Sequence, residues 1–501
     1  MHQQQIAIAP NNKPQQLRYL ILICAVAALG GFLFGFDTAV ISGVVGFVKT
    51  EYAMTSGMEG WFVSSALLGC ILGVSVAGKL SDSYGRKIVL LLSALLFTVS
   101  ALGCMLVQGE ALLISFRLIG GLGIGVASMV SPLYITEFSP AALRGRMVTL
   151  YQLAITIGIL CAYFSNAWLL ELSTSNVLSS AAVVAGGGIE GSHSFFDWIL
   201  HDHVWRGMLG IGIVPALLFL LCLFWIPESP RWLMMRGKEA QARKLLLKVN
   251  DEAVVSQEVV SIKAALAADK IPFKVLLSPK FRVALIIGLL LPFLSQLSGI
   301  NAVIYYGPRI LDEAGFTLGS AFGGQVTIGI VNVLFTVLAI FTVDKWGRKP
   351  LLYLGVSSAI VALVCIGILF QLNITSGPWI LLLILLYIAS FAVSFGPVCW
   401  IIIGEIFPTH IRGRAMALAT LSLWVANFFV GQLTPMLLDS VGAAGTFWIF
   451  AILCSPTLWL TWKLIPETKG QSLEAIEAGF QAAFLSGKVK TEQQPVEQSE
   501  Q

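Results

Sequence analysis

Charge is what this chain has least of. Asp, Glu, Lys and Arg make up 12% of its 501 residues, about half the share of an ordinary soluble domain. That excludes a surface facing water on all sides. The basic excess is also small, a formal +4, too little to mark a nucleic-acid binder. Cysteine is scattered: all eight lie inside apolar segments and none has C-x-x-C spacing. Neither a zinc site nor a disulfide framework is signalled, and the thiols read as small packing residues. No G-x-x-x-x-G-K-[ST] loop occurs, so ATP-driven transport has no support. No nucleophile–base set or metal cluster stands out. An enzyme is the weakest reading, and no cofactor is expected.

What the chain has in quantity is apolar sequence, 57% of all residues. It is gathered into long runs such as Leu20 to Phe36 and Val89 to Val107. A run of about 20 apolar residues spans a hydrocarbon core about 30 Å thick. Lipid offers the backbone no partners, so such runs are helices. A soluble helical core would show alternating faces, whereas these segments are apolar nearly all round. The length rule gives about twelve spans, the first centred near Gly30 and the last near Ile452. The fold class is therefore an all-α membrane protein. The apolar stretch after Arg18 is too long for a signal-peptide core, so the first helix is expected to stay.

Lys and Arg fix the orientation. With twelve spans, 27 of the 31 basic residues gather on the side of the two termini, which reads as cytoplasmic. The implied division is a cytoplasmic segment 1–17, a six-helix bundle 18–226, a cytoplasmic linker 227–281 with short helices, a second six-helix bundle 282–466 and a cytoplasmic tail 467–501. On the outside, Glu171 to Trp205 reads as a flexible loop whose aromatic end, Phe195 to Trp205, lies on the bilayer surface. The Gln/Glu-rich end from Thr491 reads as disordered.

The two bundles repeat one another. Gly85-Arg86-Lys87 recurs as Gly347-Arg348-Lys349, and Glu137 with Arg144-Gly145-Arg146 recurs as Glu405 with Arg412-Gly413-Arg414. Pro227-Glu228 after the sixth span is echoed by Pro466-Glu467 after the twelfth. Positive-inside loops explain the arginines but not the matching glutamates and prolines. Parallel repeats with a site between them, rocking to expose it alternately, explain all three.

Gly78-Lys79-Leu80-Ser81-Asp82-Ser83-Tyr84-Gly85-Arg86-Lys87 resembles the signature loop of the major facilitator superfamily. Arg117 with Gly120 and Gly121, together with the two Pro-Glu repeats, resembles its sugar porter family, over about Arg18 to Gly479. Bacterial xylose–proton symporters are the most similar type, and glucose facilitators are more distant. The resemblance implies a twelve-helix, two-bundle transporter in a cell membrane, the bacterial inner membrane in particular. Its partners would be a monosaccharide, a proton and the lipid bilayer.

Asp37 lies inside the first span, where a carboxylate is costly and functional by default. Arg117, near the start of the fourth, is its natural partner. Burial favours the protonated form of a carboxyl group and an adjacent guanidinium the ionised form. A pair that parts and re-forms therefore binds and releases a proton. By the resemblance, an acid at the position of Asp37 marks symporters, and facilitators have a neutral residue there. The plainer reading is a static ion pair that orients two helices.

A sugar needs groups that both donate and accept, with flat apolar faces beside them. Span seven offers Gln296, Asn301, Tyr305 and Tyr306 beside Gly299; Gln152, Asn332 and Trp400 lie on spans five, eight and ten. The resemblance implies Gln152, Gln296, Asn301, Asn332 and Trp400 as sugar contacts, with Phe34 and Tyr305 closing the site. Any one amide is as easily interhelical glue; five together are not. The chain departs from the family at Ser295, Leu423 and Ala392. Those departures leave a sugar but not xylose in particular, so another pentose, a hexose or a cyclitol fits as well.

Gly396 and Pro397 interrupt span ten and read as a hinge. Glu137, Arg144, Arg146, Glu405, Arg412 and Arg414 read as a cytoplasmic ion-pair gate of individually weak bonds, with Asp82 and Arg86 docked into it. Gly121 to Gly125 reads as close helix packing rather than a nucleotide loop. His201-Asp202-His203 reads as a solvated loop, and Asn373-Ile374-Thr375 as a chance glycosylation match. A proton-coupled monosaccharide symporter is the favoured reading. The alternatives are a uniporter of a sugar or cyclitol and, less favoured, a non-transporting sugar sensor.

Overall fold

The computed structural model describes residues 14–140, 143–185, 195–267, 278, 281–374, 378–407 and 409–469. The tail from Thr491 and part of the external loop thus lie outside the described residues. The chain is nearly all helix. The first half holds α1 (Pro14–Glu51), α2 (Ser56–Tyr84), α3 (Arg86–Leu106), α4 (Glu110–Phe138) and α5 (Arg144–Ala185). It ends with α6 (Phe195–Asp197), a π-helical turn Trp198–Asp202, α7 (Val204–Gly210) and α8 (Ile213–Trp225). Short helices follow: α9 (Pro230–Met235), α10 (Glu239–Leu246) and α11 (Glu252–Ala267). The second half holds α12 (Arg282–Leu297), α13 (Ile300–Glu313), α14 (Leu318–Trp346) and α15 (Arg348–Gln371). It closes with α16 (Trp379–Val393), α17 (Phe395–Ile406), α18 (Thr409–Cys454) and α19 (Pro456–Lys463).

Eleven runs among the described residues are long and apolar enough to cross a bilayer. The last, Gly413–Lys463, has 51 residues, about 76 Å of helix at 1.5 Å per residue, more than twice the hydrocarbon thickness. It makes two crossings, divided at Gly442, whose φ of 71° breaks α18. The twelve spans expected from sequence follow. The chain is a multi-pass membrane protein.

Glycine sets the tightest crossings. A side-chain carbon at Gly69, Gly73, Gly121 or Gly125 would fall within 2.5 Å of a carbonyl oxygen of the facing helix. The glycine-rich stretch of α4 thus seats α2 directly on its backbone.

The two motif repeats prove to be one device used twice. Gly85 (φ 103°) and Gly347 (φ 90°) turn the chain sharply from one span into the next, a conformation that favours glycine. The first amides of α3 then lack helical partners. Glu228 supplies them, accepting from the Arg86 and Lys87 amides at 2.9 and 3.2 Å. Glu467 does the same for Arg348 and Lys349 at 3.0 and 2.9 Å. Lys87 Nζ reaches the Phe224 carbonyl at 2.9 Å and Lys349 Nζ the Trp462 carbonyl at 3.2 Å. Burial pushes the Glu228 carboxyl up, while the amides of Ser229, Lys87 and Arg86 and the Arg86 charge pull it back.

One sequence expectation for the outer loop needs correction. Helix α5 runs on to Ala185 instead of ending near Glu171. At the aromatic end Phe195 stays exposed, but Trp205 is 1% exposed and donates to Glu51 Oε2 at 2.6 Å. The cause is Arg206, buried with its guanidinium over the Trp198 and Trp205 rings at 4.7 and 4.3 Å. A buried cation gathers aromatic faces and a carboxylate around it. His203 Nδ1 shares the same Glu51 oxygen at 3.0 Å.

Candidate functional site

Asp37 and Arg117 meet inside the first half. Arg117 Nη1 donates to both carboxylate oxygens of Asp37, at 3.0 and 3.1 Å. The arginine side chain is 3% exposed and the aspartate 20%. Arg117 Nε is buried without a hydrogen-bond partner. The pair joins α1 to α4, and it is the juxtaposition expected from the two spans.

The proposed sugar residues fall into two groups. On α12 and α13 the chain breaks at Gly299, left-handed with φ 87°, so the span is discontinuous beside its amides. Asn301 Nδ2 donates to Gln296 Oε1, and Gln296 Nε2 to Ser295 Oγ at 3.3 Å. Tyr305 is 1% exposed and exchanges bonds with the Asn427 amide on α18, at 2.9 and 3.1 Å. Phe34 of α1 approaches Trp424 of α18 with ring centroids 5.1 Å apart. The Trp424 indole nitrogen is buried without a partner. Gln152, Asn332 and Trp400 stay half-buried, on α5, α14 and α17, and α5 packs against α14. Across the halves these residues meet in the Phe34–Trp424 ring pair, while the amide bonds lie within the second half.

Sequence reasoning passed over Asn427 and Trp424. The signal was available: each is a polar group inside an apolar run, and each is nearly fully buried.

Span ten breaks at Ser394 (φ −110°, ψ −83°) rather than at Gly396. Proline explains the offset. Pro397 has no N–H for the carbonyl four residues earlier, that of Val393, so the helix opens one turn before the proline.

At the end bearing the basic loops, Arg86 makes a two-pronged pair with Glu137, both bonds at 3.0 Å. Asp82 lies 3.2 Å from Arg86, and Ser229 donates to Glu137. In the second half Arg348 meets Glu405 at 3.1 Å. These pairs stay within one half. Arg144 and Arg146 are exposed; Arg144 reaches the Ser139 carbonyl at 3.4 Å, and its charge acts on Glu258 of α11. The side chain of Arg412 lies outside the described residues, and that of Arg414 is exposed. The repeat motif pointed to the glutamates but not to Arg86 and Arg348 as their partners.

The opposite end is closed across the halves. Ser64 donates to Gln432 Oε1 at 2.7 Å and Gln432 Nε2 to the Gly57 carbonyl at 3.0 Å. Tyr163 donates to the Ile304 carbonyl at 3.2 Å. Among the described residues, these bonds join the halves at the outer end, whereas the Arg86–Glu137 and Arg348–Glu405 pairs at the other end each lie within one half.

A family model described as sugar (and other) transporter matches residues 23–480. The chain is 42% identical over 469 residues to the arabinose-proton symporter of Bacillus subtilis (strain 168), covering 93% of this chain and 96% of that protein. It is 37% identical over 495 residues to the D-xylose-proton symporter of Escherichia coli (strain K12), covering 92% and 95%. A solved structure of the E. coli xylose transporter, in a partially occluded inward open conformation, superposes with a TM-score of 0.76. That match is 34% identical and covers 91% of this chain and 100% of that one.

Proposed function

The chain belongs to the sugar (and other) transporter family, and from that premise we propose that it is a proton-coupled symporter importing a monosaccharide by alternating access. The observation that carries the reading is the Asp37–Arg117 pair, a carboxylate held by a nearly buried guanidinium within the first half. In a low-dielectric span such a pair binds a proton when it parts and releases it when it re-forms. The names of the two relatives, symporters of arabinose and xylose, support a sugar as cargo, a pentose or hexose in this reading.

In this reading two bundles, 18–226 and 282–466, rock about the site, joined by the segment 227–281. The cargo is held by Gln152, Gln296, Asn301, Asn332 and Trp400, with Phe34 and Tyr305 closing over it. Trp424 and Asn427 join them. The break at Ser394, set by Pro397 beside Gly396, lets span ten bend. Asp82, Arg86, Glu137, Arg144, Arg146, Glu405, Arg412 and Arg414 gate the inner end. In this reading the basic loops and both termini face the cytoplasm, which the distribution of Lys and Arg supports, and the membrane is a bacterial inner membrane.

Purified protein in liposomes, given a panel of labelled pentoses, hexoses and cyclitols, tests the reading. At least one sugar should accumulate when an inward proton gradient is imposed and stop accumulating when the gradient is collapsed. Equilibration alone, with every sugar and any gradient, would make the protein a uniporter.

A further inference from the structure

At the end away from the basic loops, a set of charges joins the halves without touching the sugar site. Glu59, in the first turn of α2, is 1% exposed. It accepts two bonds from Arg309 Nη1, each 2.9 Å, and Lys49 Nζ lies 2.7 Å away. Arg309, on α13, also pairs with Asp439 of α18 and stands 3.5 Å from Glu313. Ser56 of α2 donates to Asp439.

Sorted by half, the network has a particular property. Lys49, Ser56 and Glu59 belong to the first half; Arg309, Glu313 and Asp439 belong to the second. If the halves part, Glu59 keeps Lys49, and Arg309 keeps Glu313 and Asp439. Stranding one member of a buried ion pair is strongly unfavourable. Here each charge retains a partner of opposite sign on its own side.

A neutral bond lies deeper along the same seam. Pro308 has no N–H, so the Ile304 carbonyl four residues earlier has no partner within α13. The Tyr163 hydroxyl, from α5 in the first half, donates to it at 3.2 Å. Tyr163 is 1% exposed. Parting the halves gives that carbonyl back to water.

We propose that Glu59, Arg309 and Asp439, with Tyr163 on the carbonyl freed by Pro308, form the outer gate, and that its charges re-pair within each half as it opens. The proposal rests on the alternating-access reading above, and Arg309 and Tyr163 act in it as positioning residues. They set the population of the outward-open state and contribute nothing to the site chemistry.

The test measures the distance between nitroxides on the outer ends of the two halves in the full-length protein in liposomes, without substrate. The labels go on Gly57→Cys and Gly319→Cys, positions with nothing within 4 Å of an added side chain. The part-exposed Cys161, Cys222 and Cys365 are first replaced by alanine. Arg309→Gln and Tyr163→Phe should each raise the ratio of long to short distances by at least about fivefold, the low end of typical coupling effects. Arg309→Lys should restore most of the short component. Glu313→Gln, which removes a partner that Arg309 keeps when the halves part, should not raise the ratio above that of the parent. An unchanged ratio in Arg309→Gln and Tyr163→Phe, with both eluting as the parent does, overturns the gate. Because no substrate is used, that result leaves gradient-driven uptake free to stand or fall by itself.

Discussion

Replacing Asp37 by asparagine isolates the proton step. The carboxylate takes both its bonds from one guanidinium nitrogen, at 3.0 and 3.1 Å. Asparagine keeps the shape and one acceptor oxygen but loses the charge. Arg117 is 3% exposed and its Nε has no partner, so the substitution leaves a nearly buried cation without its counter-charge. Removing one member of a fully buried pair costs about 3–5 kcal/mol. The Asp37 side chain is 20% exposed, and partial access of water lowers the expected cost to about 2 kcal/mol. The effect on transport is larger. One proton entering down 100 mV supplies about 2.3 kcal/mol, which sustains roughly 50-fold accumulation at about 1.4 kcal/mol per tenfold. In liposomes with an inside-negative potential of about 100 mV and equal pH on both sides, the parent should concentrate labelled sugar to about that level. Asp37→Asn should only equilibrate it, yet still exchange labelled for unlabelled sugar across the membrane, since exchange needs no net proton movement. Concentration of sugar by the variant above the external level would refute the assignment of the proton to this acid.

Glu228→Ala and Glu467→Ala each remove the carboxylate that takes the first amides of a span. Each should cost about 1–2 kcal/mol, as lost helix caps do, and thermal unfolding of the purified variants should show similar downward shifts for the two. Asn301→Ala removes the amide that donates to Gln296; KM for the transported sugar should rise about tenfold, for roughly one lost hydrogen bond, with proton coupling intact. Pro397→Ala returns an N–H to the Val393 carbonyl and should straighten the break at Ser394. Turnover should then fall several-fold while KM moves little, as steady-state uptake would show.

Much of this architecture can be read from order along the chain. Length and hydropathy find the spans because a bilayer demands both. The Asp37–Arg117 pairing is legible because two charges inside apolar runs have few other partners. The seam at the outer end is not. Glu59, Arg309 and Asp439 are separated by 250 and 130 residues along the chain, and each sits at a helix end where a lone charge looks solvated. Only folding reveals that they converge. Local backbone chemistry also shifts what the sequence suggests. Pro397 marks span ten, but the break falls at Ser394 because a proline acts on the turn before it. In the aromatic stretch before Arg206, that cation takes Trp205 into the protein while Phe195 stays exposed.

Glu228 follows the last crossing of the first half and grips the start of its third helix, and Glu467 does the same in the second. Each half is thereby cinched into a loop by its own acid, much as a strap buckles back on itself. A force applied to one helix of such a loop is shared by its neighbours instead of peeling that helix away. In the rocking motion proposed above, the two halves then turn against each other as stiff bodies.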